Sequence, residues 1–277
     1  MPRRPLFLLA LAALSASAAA FVWLAAFHAP GWRRLDAAAL EAFAGVVRPP
    51  LTPSIHGLAV LADPLPFALG GVLLVSIALL RRRWLMAAIV PAILLCANGT
   101  TQLLKPALTD PRLIDFNGSE RVYPGSWPSG HATASMSLAL CLVLVVGPRL
   151  RPLAALIGAG YAVGVGYGLV SAGWHLPSDV FGGYLVAASF TLLGAAVLAV
   201  LEKREPAPVA RPAIPWRPLA APVAAFACAA ALAALAVIVR RPDLALGVRH
   251  AEVLVVAFAI GALGLSLTAG LALALRR

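Results

Sequence analysis

Two histidines, an aspartate and two basic residues sit near expected helix boundaries in the middle of the chain. Residues 171–179 read SAGWHLPSD, with His175 and Asp179 four apart and Pro177 between them. Proline suits the first turn of a helix, so a helix is expected to begin there, with Asp179 able to reach back to His175. A carboxylate that takes one ring N–H fixes the tautomer and leaves the other nitrogen free to attack or to accept a proton. Residues 127–131 read WPSGH, a loop feeding a helix start. The free N–H groups and positive dipole end of such a start make an anion site, where Gly130 permits close backbone approach and Ser129 adds a hydroxyl. Upstream, CANGTTQLLK places Asn98, Thr101, Gln102 and Lys105 at i, i+3, i+4 and i+7, hence on one helix face. Arg112 follows Lys105 by seven residues.

Taken singly, these residues read as a helix cap, two interfacial histidines and a stripe of interhelical hydrogen bonds. Taken together, cations, helix-start amides and a histidine oriented by a carboxylate are what phosphoryl transfer requires. A zinc site is the competing reading of two His and one Asp. The spacing matches no compact zinc motif, however, and zinc would leave Ser129, Gly130, Lys105 and Arg112 unexplained. Neither a metal nor another cofactor is expected.

The elements that position these groups are apolar. The chain has 277 residues, 61% hydrophobic and only 12% charged, with a mean hydropathy of +0.91; soluble globules carry about 25% charged residues. This composition excludes an ordinary soluble enzyme. The net charge of +11 comes from basic residues scattered between apolar runs, which suits anionic lipid headgroups rather than nucleic acid. Cys96, Cys141 and Cys228 lie inside apolar runs and imply neither a disulfide framework nor a metal site.

Apolar runs fall at about 5–28, 57–80, 84–104, 131–147, 153–174, 180–201, 219–239 and 253–275, giving eight expected transmembrane helices. The first begins like a secretory signal but continues to His28, long enough to be a retained span. In the second, Asp63 reads as a cap, with a functional carboxylate as the alternative, and Pro64 as the first helical residue, leaving 57–62 as a short interfacial helix. Gly160, Gly164 and Gly168 form a four-residue row expected to let helices approach closely. Thirteen of the 22 Lys and Arg fall on the side of both termini, which predicts cytoplasmic termini in a plasma-membrane protein. The loops at 105–130 and 175–179 then share the extracytoplasmic face. The expected fold is an all-α polytopic bundle. Its parts are a six-span core over 1–201 (motifs within 98–183), a charged, proline-rich cytoplasmic linker at 202–218, and a two-helix membrane extension over 219–277.

At these residues the chain resembles the type 2 phosphatidic acid phosphatase superfamily, membrane enzymes that remove phosphate from lipid phosphates and pyrophosphates without a metal. The family pattern is Lys, six residues, Arg-Pro; then Pro-Ser-Gly-His; then Ser-Arg, five residues, His, three residues, Asp. Here the first part is Lys105 with Arg112, the second is intact at 128–131, and the third keeps His175 and Asp179. The resemblance covers roughly residues 55–201. It implies that His175 forms a phosphohistidine, that Asp179 orients it, and that His131 protonates the leaving oxygen and then activates water. It also implies that Lys105, Arg112, Ser129 and the Gly130 amide hold the phosphate of a polyprenyl or phospholipid substrate. Two positions depart from the pattern. Leu113 replaces the proline after Arg112, and Gly168-Leu169 replaces Ser-Arg. Losing one preorganised phosphate donor costs about 3–4 kcal/mol. Three readings meet that loss: Arg121 substitutes for the missing arginine, the substrate needs fewer clamps, or the protein binds lipid phosphate without cleaving it. A phosphotransferase that passes phosphate from His175 to another acceptor is a further alternative. Trp127 and Trp174 flank the motifs, as interfacial anchors or as the rim where a lipid tail enters.

Overall fold

The computed structural model describes residues 3–46, 52–109, 112–116, 119–122, 124–202 and 249–275. Among them are nine helices: α1 (Arg3–His28), α2 (Pro30–Val46), α3 (Thr52–Val60), α4 (Pro64–Leu80), α5 (Trp84–Ala107), α6 (Gly130–Val145), α7 (Arg151–Ser171), α8 (Pro177–Leu201) and α9 (Arg249–Ala274). The bundle is helical apart from one short antiparallel ribbon, β1 (Leu113–Phe116) and β2 (Ser119–Val122), which pairs Leu113 with Val122.

Five of these helices, α1, α5, α7, α8 and α9, are long and apolar enough to cross a membrane, making the chain a multi-pass membrane protein. The apolar helices α4 and α6 are shorter, at 17 and 16 residues; α6 spans about 24 Å at 1.5 Å per residue. It compensates by being buried on nearly every side. The expected span at 219–239 and all of the linker but Glu202 lie outside the described residues. The short helix expected at 57–62 lies earlier, at Thr52–Val60. Pro64 opens α4 as expected, with Asp63 at its N-cap position.

Two elements have no counterpart in the apolar runs. The ribbon sits in the polar loop before α6. Helix α2 carries Arg33, Arg34, Asp36 and Glu41, and is amphipathic rather than apolar throughout, so it packs across helix ends against α1, α7, α8 and α9.

Helix α8 is central, packing against α1, α5 and α6. Small residues set the closest approaches, but not along the expected row. A Cβ on Gly160 would meet nothing within 4 Å, whereas one on Gly158 would come 3.0 Å from the Ala139 side chain. At Gly183 a Cβ would lie 2.7 Å from the Ser129 carbonyl oxygen, so α6 and α8 meet backbone to backbone. The up-and-down chain path brings the ends of α1, α5 and α7 and the starts of α4, α6 and α8 to one face. Arginines gather at the other: Arg4 and Arg151 both donate to the Leu275 carbonyl, at 3.2 and 3.1 Å, and Arg83 pairs with Glu202.

Candidate active site

The first turn of α8 builds the centre. Pro177 lies in that turn, where its missing N–H costs nothing. Asp179 is then the third helical residue, and its side chain turns back toward the helix start. One carboxylate oxygen, Oδ2, accepts from Leu176 N at 3.1 Å and faces His175 Nδ1 at 3.3 Å. The other, Oδ1, accepts from Arg112 Nη2 at 2.6 Å. Asp179 is fully buried. With His175 Nδ1 given to this carboxylate, Nε2 is left for chemistry.

The start of α6 is joined to this turn by the main chain, because Ser129 N donates to the Asp179 carbonyl at 3.0 Å. Ser129 is buried and caps α6, its Oγ accepting from Ala132 N at 3.3 Å. A Cβ on Gly130 would come 3.3 Å from Gln102 Nε2 and 3.8 Å from Lys105 Nζ. The end of α5 therefore delivers Lys105 and Gln102 over the first amides of α6, as the polar stripe on that helix implied. Thr101 meets Thr133 at 3.0 Å one turn deeper.

His131, the second residue of α6, hydrogen-bonds through Nε2 to Asp63 Oδ1 at 2.8 Å. Asp63 makes no side-chain cap hydrogen bond to α4, so its carboxylate serves His131 instead of its own helix. Both side chains keep solvent access, at 31% and 40%. The His131 ring lies 6.3 Å from that of Trp174, the residue before His175. The site thus holds two histidine–carboxylate pairs beside one helix start.

Arg112 is buried against the first turn of α8. Its side chain is 2% exposed. Besides Asp179, it donates from Nη2 to Ser126 Oγ at 2.6 Å and from Nη1 to Ser178 Oγ at 3.2 Å. Its Cζ lies 4.4 Å from the centre of the Phe27 ring, a cation–π contact. The guanidinium is committed to the Asp179 carboxylate, and Lys105 is the cation placed at the start of α6. Leu169, standing where the family has arginine, is fully buried in the core. Arg121 lies on β2 opposite Ile114, in the ribbon that follows Arg112. Trp127 is buried rather than interfacial, packed over Gly182, while Trp174 remains 42% exposed.

Three contributors escaped the sequence reading, Asp36, Ser126 and Ser178, and Asp63 entered it as an alternative without its partner. Asp36 accepts from Ser178 N at 3.0 Å through Oδ1 and from the Ser178 hydroxyl through Oδ2. It also lies 3.9 Å from Arg112 Nη1. Burial above all, helped by the charge of Asp179 and opposed by the Ser178 hydrogen bonds and Arg112, raises its pKa to about 7. The sequence did hold a signal. Asp36 falls with Ala39, Leu40 and Phe43 at i, i+3, i+4 and i+7, a carboxylate on the apolar face of an amphipathic helix. Among the described residues no three His, Cys, Asp or Glu side chains converge as metal ligands do.

A membrane protein of Bacillus subtilis, whose crystal structure is described as that of the first transmembrane PAP2 type phosphatidylglycerolphosphate phosphatase, is similar in fold. The TM-score is 0.52 at 19% identity, over 74% of this chain and 98% of that one. No curated protein matches the chain. Residues 84–204, which hold Lys105, Arg112, the Pro-Ser-Gly-His turn, His175 and Asp179, match the family model of the PAP2 superfamily.

Proposed function

We propose that this protein is a membrane phosphatase acting on a lipid phosphomonoester or pyrophosphate at the extracytoplasmic face, with both termini cytoplasmic in the plasma membrane. The observation that carries the reading is the pair of imidazoles, each held by its own carboxylate, at the joined starts of α6 and α8. In the first step His175 Nε2 bonds to phosphorus as the bond from phosphorus to the lipid oxygen breaks. His131 gives that oxygen its proton. In the second step water attacks the phosphohistidine, His131 takes the water's proton, the N–P bond breaks and inorganic phosphate leaves. Asp179 orients His175 and Asp63 orients His131. Lys105 and the amides at Gly130 neutralise and position the phosphate oxygens, with Ser129 shaping that turn, Arg121 supplying a further cation, and Arg112 acting through Asp179. No step draws on a metal. The chemistry belongs to the core ending near residue 201; residues 202–218 form a cytoplasmic linker and 219–277 a membrane extension.

The substrate class is a polyprenyl phosphate or pyrophosphate, or a phospholipid phosphate; the activity described for the similar Bacillus subtilis protein favours the last. A second reading, a lipid-phosphate binder without turnover, draws on Arg112 being committed to Asp179 and on Leu169 being apolar. A phosphotransferase would need an acceptor alcohol in place of water. Phosphate release in detergent, over a panel of lipid phosphates, with His175→Ala as control, separates these. Release that requires His175 and survives chelator is the expected result. Affinity without release in either form selects the binder, and release only into an added alcohol selects the transferase.

A further inference from the structure

Helix α2 brings a buried carboxylate to the catalytic turn from outside the segment that matches the family, which begins at residue 84. Asp36 is 5% exposed, and burying a carboxylate is costly unless it is paired or well hydrogen-bonded. Its charge is not needed to neutralise Arg112, because Asp179 already pairs with that guanidinium at 2.6 Å. Nor is it needed to seat α2, whose apolar face, Ala39, Leu40 and Phe43, is itself buried.

What Asp36 does hold is Ser178, the residue before Asp179, and through its hydroxyl Arg112. Its Oδ1 takes the backbone N–H of Ser178, the residue before Asp179. Its Oδ2 takes the Ser178 hydroxyl, which in turn accepts from Arg112 Nη1. A continuous chain of hydrogen bonds thus runs from Arg112 through Ser178 to Asp36. The same guanidinium and the same turn of α8 decide where Asp179 points, and Asp179 must keep one oxygen toward Arg112 while the other faces His175.

Resting on the phosphatase reading above, we infer that Asp36 is a positioning residue for phosphoryl transfer. It locks Ser178 and Arg112 so that the Asp179 carboxylate stays aimed at His175 Nδ1. It does not touch substrate. The phosphate is held by Lys105 and the α6 start, so Asp36 governs the rate of the chemical step and leaves substrate binding alone.

The test is steady-state kinetics of Asp36→Ala, Asp36→Asn and Ser178→Ala in detergent, on the best lipid phosphate found for the wild type. A displacement of about 1 Å in a reacting group costs up to roughly 100-fold in rate. Asp36→Ala is expected to lower kcat by about 10- to 100-fold with KM within about threefold. Asp36→Asn keeps an acceptor for Ser178 N and should recover most of that loss. Wild-type kcat in folded Asp36→Ala overturns the inference. So does a kcat loss that asparagine fails to restore, or a rise in KM that accounts for the whole effect. Should Asp36→Ala fail to fold, Ser178→Ala breaks the chain from the other side. It is expected to lower kcat about threefold to tenfold, and an unchanged kcat there also overturns the inference. The nitrogen-15 resonances of the His175 ring give a readout independent of turnover. Loss of the Nδ1 hydrogen-bond signature in Asp36→Ala, alongside its retention in the wild type, supports positioning even for a wild type that releases no phosphate. An unchanged signature refutes it.

Discussion

Replacing Arg112 by methionine keeps an unbranched side chain of similar reach and removes five N–H donors. Asp179 would then be a fully buried carboxylate left with Leu176 N and His175 as donors, with the second buried carboxylate, Asp36, still nearby. Removing one partner of a buried ion pair costs about 3–5 kcal/mol, because the other charge stays buried and unpaired. The Arg112→Met protein should therefore unfold at clearly lower denaturant or temperature than the wild type, followed in detergent by tryptophan fluorescence, since Trp127 is buried close by. The decisive comparison is the double variant Arg112→Met/Asp179→Asn. Neutralising Asp179 removes the bare charge, so the double variant should be more stable than Arg112→Met alone, with a coupling of about 2 kcal/mol or more. Turnover should be lost in both. Stability of Arg112→Met equal to wild type, or additive losses with no coupling, would refute the assignment of Arg112 to Asp179. Retention of His175-dependent turnover in Arg112→Met would refute its catalytic relevance.

Three further outcomes follow from the same geometry. Asp63→Asn should lower kcat by about tenfold on alkyl lipid phosphates and much less on an aryl phosphate with a good leaving group, because the charge removed supports the proton donor; equal losses on both would separate Asp63 from the acid. Asp36 has a pKa of about 7 in the folded protein against an ordinary value of 3.8. The folded state therefore keeps a proton that the unfolded chain loses, and Asp36 makes stability fall as pH rises from about 4 to 7; melting curves of Asp36→Asn should show a shallower decline over that window. Gly183→Ala puts a methyl group 2.7 Å from the Ser129 carbonyl oxygen, so α6 and α8 must separate, and both folded yield and turnover should drop sharply, whereas Gly160→Ala should be silent in the same expression assay.

The parts of the site that could be read in the sequence were those fixed by local spacing. Four residues around Pro177 are enough to set Asp179 against His175, and a Ser-Gly turn before an apolar run is enough to announce the α6 start. Lys105 followed from a helical period. What stayed hidden depended on partners distant in sequence. Asp63 looks like a cap because it occupies a cap position, and only the tertiary fold shows its carboxylate turned to His131, 68 residues away. Arg112 was legible as a cation near the site, but its burial against Asp179 and Ser178 was not, since a guanidinium serves a phosphate and a carboxylate equally well. Helix α2 failed to register for a simpler reason: a search for uniformly apolar runs passes over an amphipathic helix, and with it Asp36.

The bond from Ser129 N to the Asp179 carbonyl, together with the close backbone approach at Gly183, also limits where the site can vary. The two motifs that hold the histidines are joined through main chain, so substitutions other than at Gly183 leave their spacing in place. On the phosphatase reading, substrate range is therefore expected to depend on the surroundings, α4, α5, the ribbon and α2, while the spacing of His131 and His175 is kept.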